Sequence, residues 1–333
     1  MISKKFLGAA ILSLCATASM VATAAYPERD ITGTIMWGAG GAMDVVSRAI
    51  QPHAEAVLGK KIVMVNKPGG TGAIATNFIV NSPNDGYNLL FGAENPQLHK
   101  VLGLAEFDYD KFFPVNILAR SVGVIVVKAD APWKTLTELV NDAKARPGKI
   151  KMAMTGPGGL PHTVASMLGA VTKINTISVP FDGEGPAVTA VMGGHADFTP
   201  VGAGSVTEGI KAGRIRALAV VNIDSFDLLP GVPPITKEYP EFSKYLPWGP
   251  FYGVFVRKDT PDDIKATLVN AFKKAADEPQ FKQLMSDRAN IMMNISGAEA
   301  DAFLTKWQSV TSWLLQDVGA AKITPEKFGI PKP

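Results

Sequence analysis

A Gly-x-Gly-Gly turn stands twice in this chain between a β-rich run and the start of a helix. The first is Gly38-Ala39-Gly40-Gly41, after Met36-Trp37. The second is Gly156-Pro157-Gly158-Gly159, after Thr155. They lie 118 residues apart (156 minus 38), one in each half of a 333-residue chain. In a parallel α/β sheet such turns sit at the carboxyl ends of strands, where ligands bind. Glycine permits close approach of backbone to ligand. The helix that follows presents unbonded N–H groups and a partial positive charge. Each turn is thus a seat for a carboxylate or phosphate. One such turn is as often plain turn chemistry. Two of them point to two α/β lobes with an anion held between.

The rest of the sequence fits that plan. Short β-rich runs occupy residues 31–37, 62–66 and 89–92, bounded by Gly, Pro or Asn. Val46, Ile50, Ala54 and Val57 recur at helical spacing, and Gly59 ends that run. Residues 122–127, 152–155, 176–179, 198–201, 216–221 and 253–257 read as further strands. Helical stretches separate most of them, which argues for mostly parallel sheets covered by helices on both faces. Thr135-Leu136-Thr137-Glu138 has the spacing of a capping box. Three helices are expected to close the chain. The first is capped by Thr260 with Pro261 in its first turn, the last by Ser296 with Glu299 three residues on. Phe303, Trp307, Val310 and Leu314 form an apolar stripe on the last helix, which reads as core.

Residues 1–25 read as a secretory signal peptide: Lys4 and Lys5, an apolar run to Val21, then Ala22-Thr23-Ala24-Ala25 for cleavage. The run is shorter than the ~20 residues of a spanning helix and contains Ser13, Thr17 and Ser19. Cleavage removes Cys15 and leaves a cysteine-free chain, suited to an oxidising compartment. The net charge of +3 excludes a strong electrostatic footprint for nucleic acid. Four histidines and one cysteine cannot build a multi-cysteine zinc site. Met43 stands where a dinucleotide fingerprint needs its third glycine, and P-loop, zincin and nucleophile-elbow motifs are all missing from the sequence. His53, His99 and His195 read as ordinary helix, surface or turn residues. His162 follows the second glycine turn, where it either touches a ligand or braces the turn. A catalytic dyad of His162 with Asp182 or Glu184 stays open.

Several segments resemble the extracytoplasmic receptors of tripartite tricarboxylate transporters, the Bug family. Gly40-Gly41-Ala42-Met43-Asp44 is similar to the family's Gly-Gly-Gly-Thr-Asp loop. Asn66-Lys67-Pro68-Gly69-Gly70-Thr71-Gly72 resembles its Asn-Arg-Pro-Gly-Ala-Gly-Gly, and Pro83-Asn84-Asp85-Gly86-Tyr87-Asn88-Leu89-Leu90 its Pro-Asp-Gly-Tyr-Thr-Leu-Leu. Pro180-Phe181-Asp182-Gly183, Gly193-Gly194-His195-Ala196-Asp197 and Lys211-Ala212-Gly213-Arg214-Ile215-Arg216-Ala217-Leu218-Ala219 match further segments in order over the whole mature chain. The resemblance implies a two-lobed, type II periplasmic-binding-protein-like α/β fold, each lobe a mostly parallel sheet flanked by helices. It implies a periplasmic monomer that uses no cofactor or metal, performs no chemistry on its ligand, and delivers a small organic acid to two membrane subunits. Lobe one is expected at residues 26–124 plus 248–333, lobe two at 125–247, with crossovers near residues 122–127 and 248–256.

By position, the resemblance places ligand contacts at Gly38, Ala39, Gly40, Gly41, Ala42 and Asp44, and at Thr155, Gly156, Gly158 and His162, with Asp44 more a brace than an anion contact. Four departures bear on the ligand: Met43 for threonine, Gly159 for serine, Phe181 for tyrosine and Asp182 for lysine. Glu94 and Glu184 add acid near the same strand ends, and Trp37 and Phe181 add rings. This reads as a less anion-seeking, more aromatic-lined cleft. A dicarboxylate leads; a monocarboxylate, an aromatic acid or an acid carrying an amino group is its rival. An exported enzyme built on His162, and a sensory receptor with the same pocket, are the other readings.

Overall fold

The computed structural model describes residues 26–181 and 183–333. Residues 1–25, read above as a signal peptide, and Asp182 lie outside the described residues. Eleven strands are described: β1 (Ile31–Ile35), β2 (Ile62–Asn66), β3 (Asn88–Ala93), β4 (Phe112–Ser121), β5 (Gly123–Lys128), β6 (Lys151–Met154), β7 (Ile177–Pro180), β8 (Phe198–Gly202), β9 (Ile215–Val221), β10 (Phe251–Arg257) and β11 (Asn290–Ile295). They form a six-stranded sheet of order β11-β4-β10-β3-β1-β2 and a five-stranded sheet of order β7-β6-β8-β5-β9. Helices flank both. β1 and β5 show why the strands form where they do. Ile31 and Ile35 of β1, and Val124 to Val127 of β5, are fully buried. Such β-branched runs suit a strand covered on both faces.

Each sheet is mixed, which refines the expected mostly parallel arrangement. β1 is parallel to β2 and β3, and β6 is parallel to β7 and β8. β10 runs antiparallel to β3 and β4, β11 antiparallel to β4, and β5 antiparallel to β8 and β9. β4 therefore runs in the same direction as β3.

The direction of β4 positions the site. β4 ends at Ser121, Val122 follows, and β5 opens the second sheet at Gly123. Gly123 pairs with Gly202, the last residue of β8. The carboxyl ends of β1, β3 and β4 in one sheet thus meet those of β6 and β8 in the other, across this passage. The chain returns beside it: the Ser121 amide donates to the Pro250 carbonyl at 2.8 Å. A Cβ on Gly249 would collide with the Ser121 carbonyl oxygen, so only glycine fits there. Arg120 Nη1 donates to the Trp248 carbonyl at 2.9 Å.

The return crossing is anchored by the last helix, Gly297–Asp317. Trp307 stacks on Trp248 with centroids 5.9 Å apart. Its indole N–H donates to the Gly249 carbonyl at 2.9 Å, and the Trp248 indole donates to Thr311 Oγ1 at 3.0 Å. Val310 and Leu314 of the expected stripe are buried as well, and Phe303 is half-buried.

Three local expectations are corrected. β11 occupies part of the segment read as helices alone. It is an edge strand, Asn-Ile-Met-Met-Asn-Ile, with a register shift against β4; Asn290 and Asn294 weaken its β signal. Pro261 itself caps the helix Asp262–Asp277, leaving the Thr260 hydroxyl buried without a partner. The Ser296 side chain does not cap its helix; its hydroxyl accepts from Asn116 at 3.3 Å instead. The Thr135 cap is present, with its Oγ1 accepting from the Glu138 amide at 3.2 Å.

Candidate functional site

The two glycine turns are conformational copies. Gly40 has φ +78° and Gly158 has φ +77°, left-handed values that glycine adopts without strain. Gly41 (φ −73°, ψ 167°) and Gly159 (φ −74°, ψ 173°) then cap their helices with no side-chain bond. The Gly41 amide donates to the Gly38 carbonyl at 3.4 Å, and the Gly159 amide to the Gly156 carbonyl at 3.3 Å. The first loop follows β1 and the second follows β6, at the strand ends that face the crossing.

Each loop is braced from one turn into its helix. The Gly40 amide donates to Asp44 Oδ2 at 2.9 Å. The Gly158 amide donates to His162 Nδ1 at 3.2 Å. The braces differ in charge. Burial pushes the Asp44 carboxyl up, but bonds from Gly40, Asn66 and Arg48 outweigh it and hold the group below the usual carboxylate range. Asp44 is 5% exposed, and Oδ1 accepts from Arg48 Nε and Asn66 Nδ2, each at 2.9 Å. Burial lowers the His162 pKa and favours the neutral ring. Its Nδ1 accepts from Gly158, so the hydrogen belongs on Nε2. Both residues shape loops, and no carboxylate bonds the His162 ring among the described residues.

With the braces in place, the helix starts are left open. Val45 is the first amide bonded back, to the Gly41 carbonyl at 3.0 Å. By helix geometry the amides of Ala42, Met43 and Asp44 lack an intrahelical acceptor. In the second loop Thr163 bonds back to Gly159 at 3.0 Å, and the amides of Leu160 and His162 are the open ones, because Pro161 has none. Gly38, Ala39, Gly40, Gly41 and Ala42 are exposed, as is Gly156. A Cβ on Gly38, Gly40 or Gly156 would meet nothing within 4 Å, so this backbone faces open space.

The remaining candidates divide. Trp37 is half-buried against the main core, and its carbonyl accepts from Asn66 at 2.8 Å. Thr155 is half-buried, and its Oγ1 would lie 3.1 Å from a Cβ on Gly159. Phe181 is half-buried and packs on Ala153 of β6, Ala187 and Val191 of the helix Glu184–Met192, and Ala196. Gly158 is buried: a Cβ there would stand 3.2 Å from the Cδ1 atoms of Leu98 and Leu102. The second loop thus touches the segment that follows β3, across from its own sheet.

Glu94 and Glu184 flank this arrangement. Glu94 follows β3, the neighbour of β1, and is 5% exposed. Glu184 opens the helix Glu184–Met192 after β7, the neighbour of β6. Each acid therefore lies one strand away from a glycine loop. Glu184 accepts from the Gly202 amide at 3.1 Å and from Ser205 Oγ at 2.5 Å. Burial raises its pKa despite those bonds. Burial, with a contribution from the Glu184 charge, pushes the Glu94 carboxyl up to about 8. Tyr252 of β10 feels both acids: burial foremost, then the charges of Glu184 and Glu94, raise its phenol pKa.

A two-lobed α/β fold of the periplasmic-binding-protein kind, with a copied glycine loop on each sheet, is the class that these elements define. The sequence profile described as "Tripartite tricarboxylate transporter family receptor" matches residues 46–315. The chain is 30% identical over 265 residues to a UPF0065 protein in the tcbD-tcbE intergenic region of a Pseudomonas species, covering 78% of each. It is 29% identical to the protein BugT of Bordetella pertussis, covering 75% of this chain and 77% of that one. A TctC solute binding protein from Polaromonas superposes with TM-score 0.72 at 26% identity, over 88% of this chain and 99% of that one. A Rhodopseudomonas palustris protein solved with adipate superposes with TM-score 0.81 at 20% identity, over 89% and 99% of the two chains. MatC from the same organism, with bound malate, gives 0.75 at 23% identity over 88% and 100%. The chain belongs to the tripartite tricarboxylate transporter receptor family.

Proposed function

We propose that this chain is a periplasmic receptor, exported by residues 1–25, that captures a small organic acid between its lobes and delivers it to the membrane subunits of a tripartite tricarboxylate-type transporter. The observation that carries this reading is the copied glycine loop. Each sheet contributes one loop, with open helix-start amides, at the strand ends that meet across the crossing. Two such amide sets hold an anion without a charged side chain. Relatives of this fold solved with adipate and malate support a carboxylate ligand. No helix among the described residues is long and apolar enough to cross a membrane.

Lobe one is residues 26–122 plus 248–333 and lobe two residues 123–247, which moves the expected boundary of 124 back to the start of β5. An acid that contacts both lobes favours the closed form by its differential affinity. Thermal shift over a panel of organic acids tests the reading. Binding to the native state raises the melting temperature with ligand concentration. Replacing Gly41 by leucine, beside the open amides of the first loop, abolishes the shift. A shift that survives this change and Gly158→Leu alike rules the two-seat model out.

A further inference from the structure

We propose that the captured acid also carries a protonated amine, its carboxylate on the glycine loops and its ammonium between Glu94 and Glu184. The inference rests on the receptor reading and names the ligand class. Two acids, one from each lobe, stand beside the two loops in matching places: Glu94 one strand from the first, Glu184 one strand from the second. Glu184 is turned onto Gly202 and Ser205, which fixes its carboxyl. Glu94 is nine-tenths buried, and no side chain bonds its carboxyl among the described residues; only its own amide and that of Phe251 face it.

The charged and titratable groups around the pair are Tyr252, which both acids influence, Tyr109, which lies near Glu94, and Arg288, which acts on Tyr252. No lysine or arginine bonds either carboxyl among the described residues. Two like charges left in this place are costly, and burial raises the pKa of both carboxyls. A ligand ammonium replaces a proton and returns a carboxylate. A second ligand carboxylate offers the pair nothing that it lacks and adds a third negative group. The glycine seats are indifferent to the far end of the ligand, so this pair decides between a diacid and an amino acid.

Calorimetry on the full mature chain with matched probes tests the proposal. Succinate is compared with 4-aminobutyrate, glutarate with 5-aminopentanoate, adipate with 6-aminohexanoate, and terephthalate with 4-(aminomethyl)benzoate. The amino member of a pair is expected to bind at least tenfold more tightly. Its binding at pH 7.5 releases protons, read as a heat that varies with buffer ionisation enthalpy. Glu94→Gln and Glu184→Gln each reduce the ratio of amino-member to diacid affinity at least tenfold. Tighter binding of the diacids by the native chain overturns the proposal and leaves the receptor reading intact. So do glutamine variants that shift both members equally. The first two readouts need no variant, so a poorly folding mutant does not decide the matter. Failure of every diacid and every amino acid to bind overturns the receptor reading itself.

Discussion

His162 accepts the amide hydrogen of Gly158 at 3.2 Å through Nδ1, and that bond exists only while the ring is neutral. Burial lowers the His162 pKa below 6.5. The folded chain thus binds this proton less readily than the unfolded chain. The contribution to stability is fully present above 6.5 and is lost as the pH falls through the lowered pKa. Melting temperature followed from pH 7.5 down to pH 5 should fall with a component that His162→Gln lacks. The variant itself is expected to lose about 1 kcal/mol at pH 7.5.

Asp44 is the corresponding brace of the first loop, with three donors on one buried carboxylate. Removal strands the Gly40 amide and the Arg48 and Asn66 side chains together. Asp44→Ala should cost about 2–3 kcal/mol in urea unfolding at pH 7. Asp44→Asn should cost less, because Oδ1 can still accept.

The copied glycines separate strain from contact. Both are left-handed, so alanine at either costs about 1–2 kcal/mol in backbone strain. At Gly40 the added methyl meets open space; at Gly158 it meets Leu98 and Leu102 at 3.2 Å. Gly158→Ala should therefore weaken acid binding further than Gly40→Ala, as measured by calorimetry. Trimming Leu98 to alanine in the same chain should recover part of the difference.

Glu94 gives the free protein an opposite pH response. The folded chain holds this proton up to about pH 8, against 4.5 for an ordinary glutamate. Its contribution is complete below 4.5 and is lost as the pH rises to about 8. Glu94→Gln should be more stable than the native chain at pH 8.5, with the gap closing by pH 4.5, in parallel thermal melts without ligand.

The strands that the residues announce are those with β-branched runs, such as 123–128 and 215–221. β4 was not among the strands read from the sequence, because Pro114 and Asn116 interrupt it. The pairing of β4 with β10 shifts register there: Val254 and Phe255 pair with Asn116 and Pro114, so Val115 of β4 is the extra residue. The glycine loops were legible as a pair, and their braces carried the same signal: 162 minus 44 is again 118. The role of Gly158 against Leu98 was not legible; Glu94 and Glu184 were read as acids near the strand ends, but not as a pair with one member from each sheet. These partners are 60 and 90 residues apart in sequence (158 minus 98, 184 minus 94), and only the course of β4 into β5 brings their strand ends together. Phe181 stands at the strand end read from the sequence, half-buried against small alanines.

Val122 is all the chain that separates the two sheets on the outward passage, and Ser121 is tied to Pro250 on the way back. A tether of that length has no slack for translation. Any relative motion of the halves about this double strap is therefore a tilt rather than a separation.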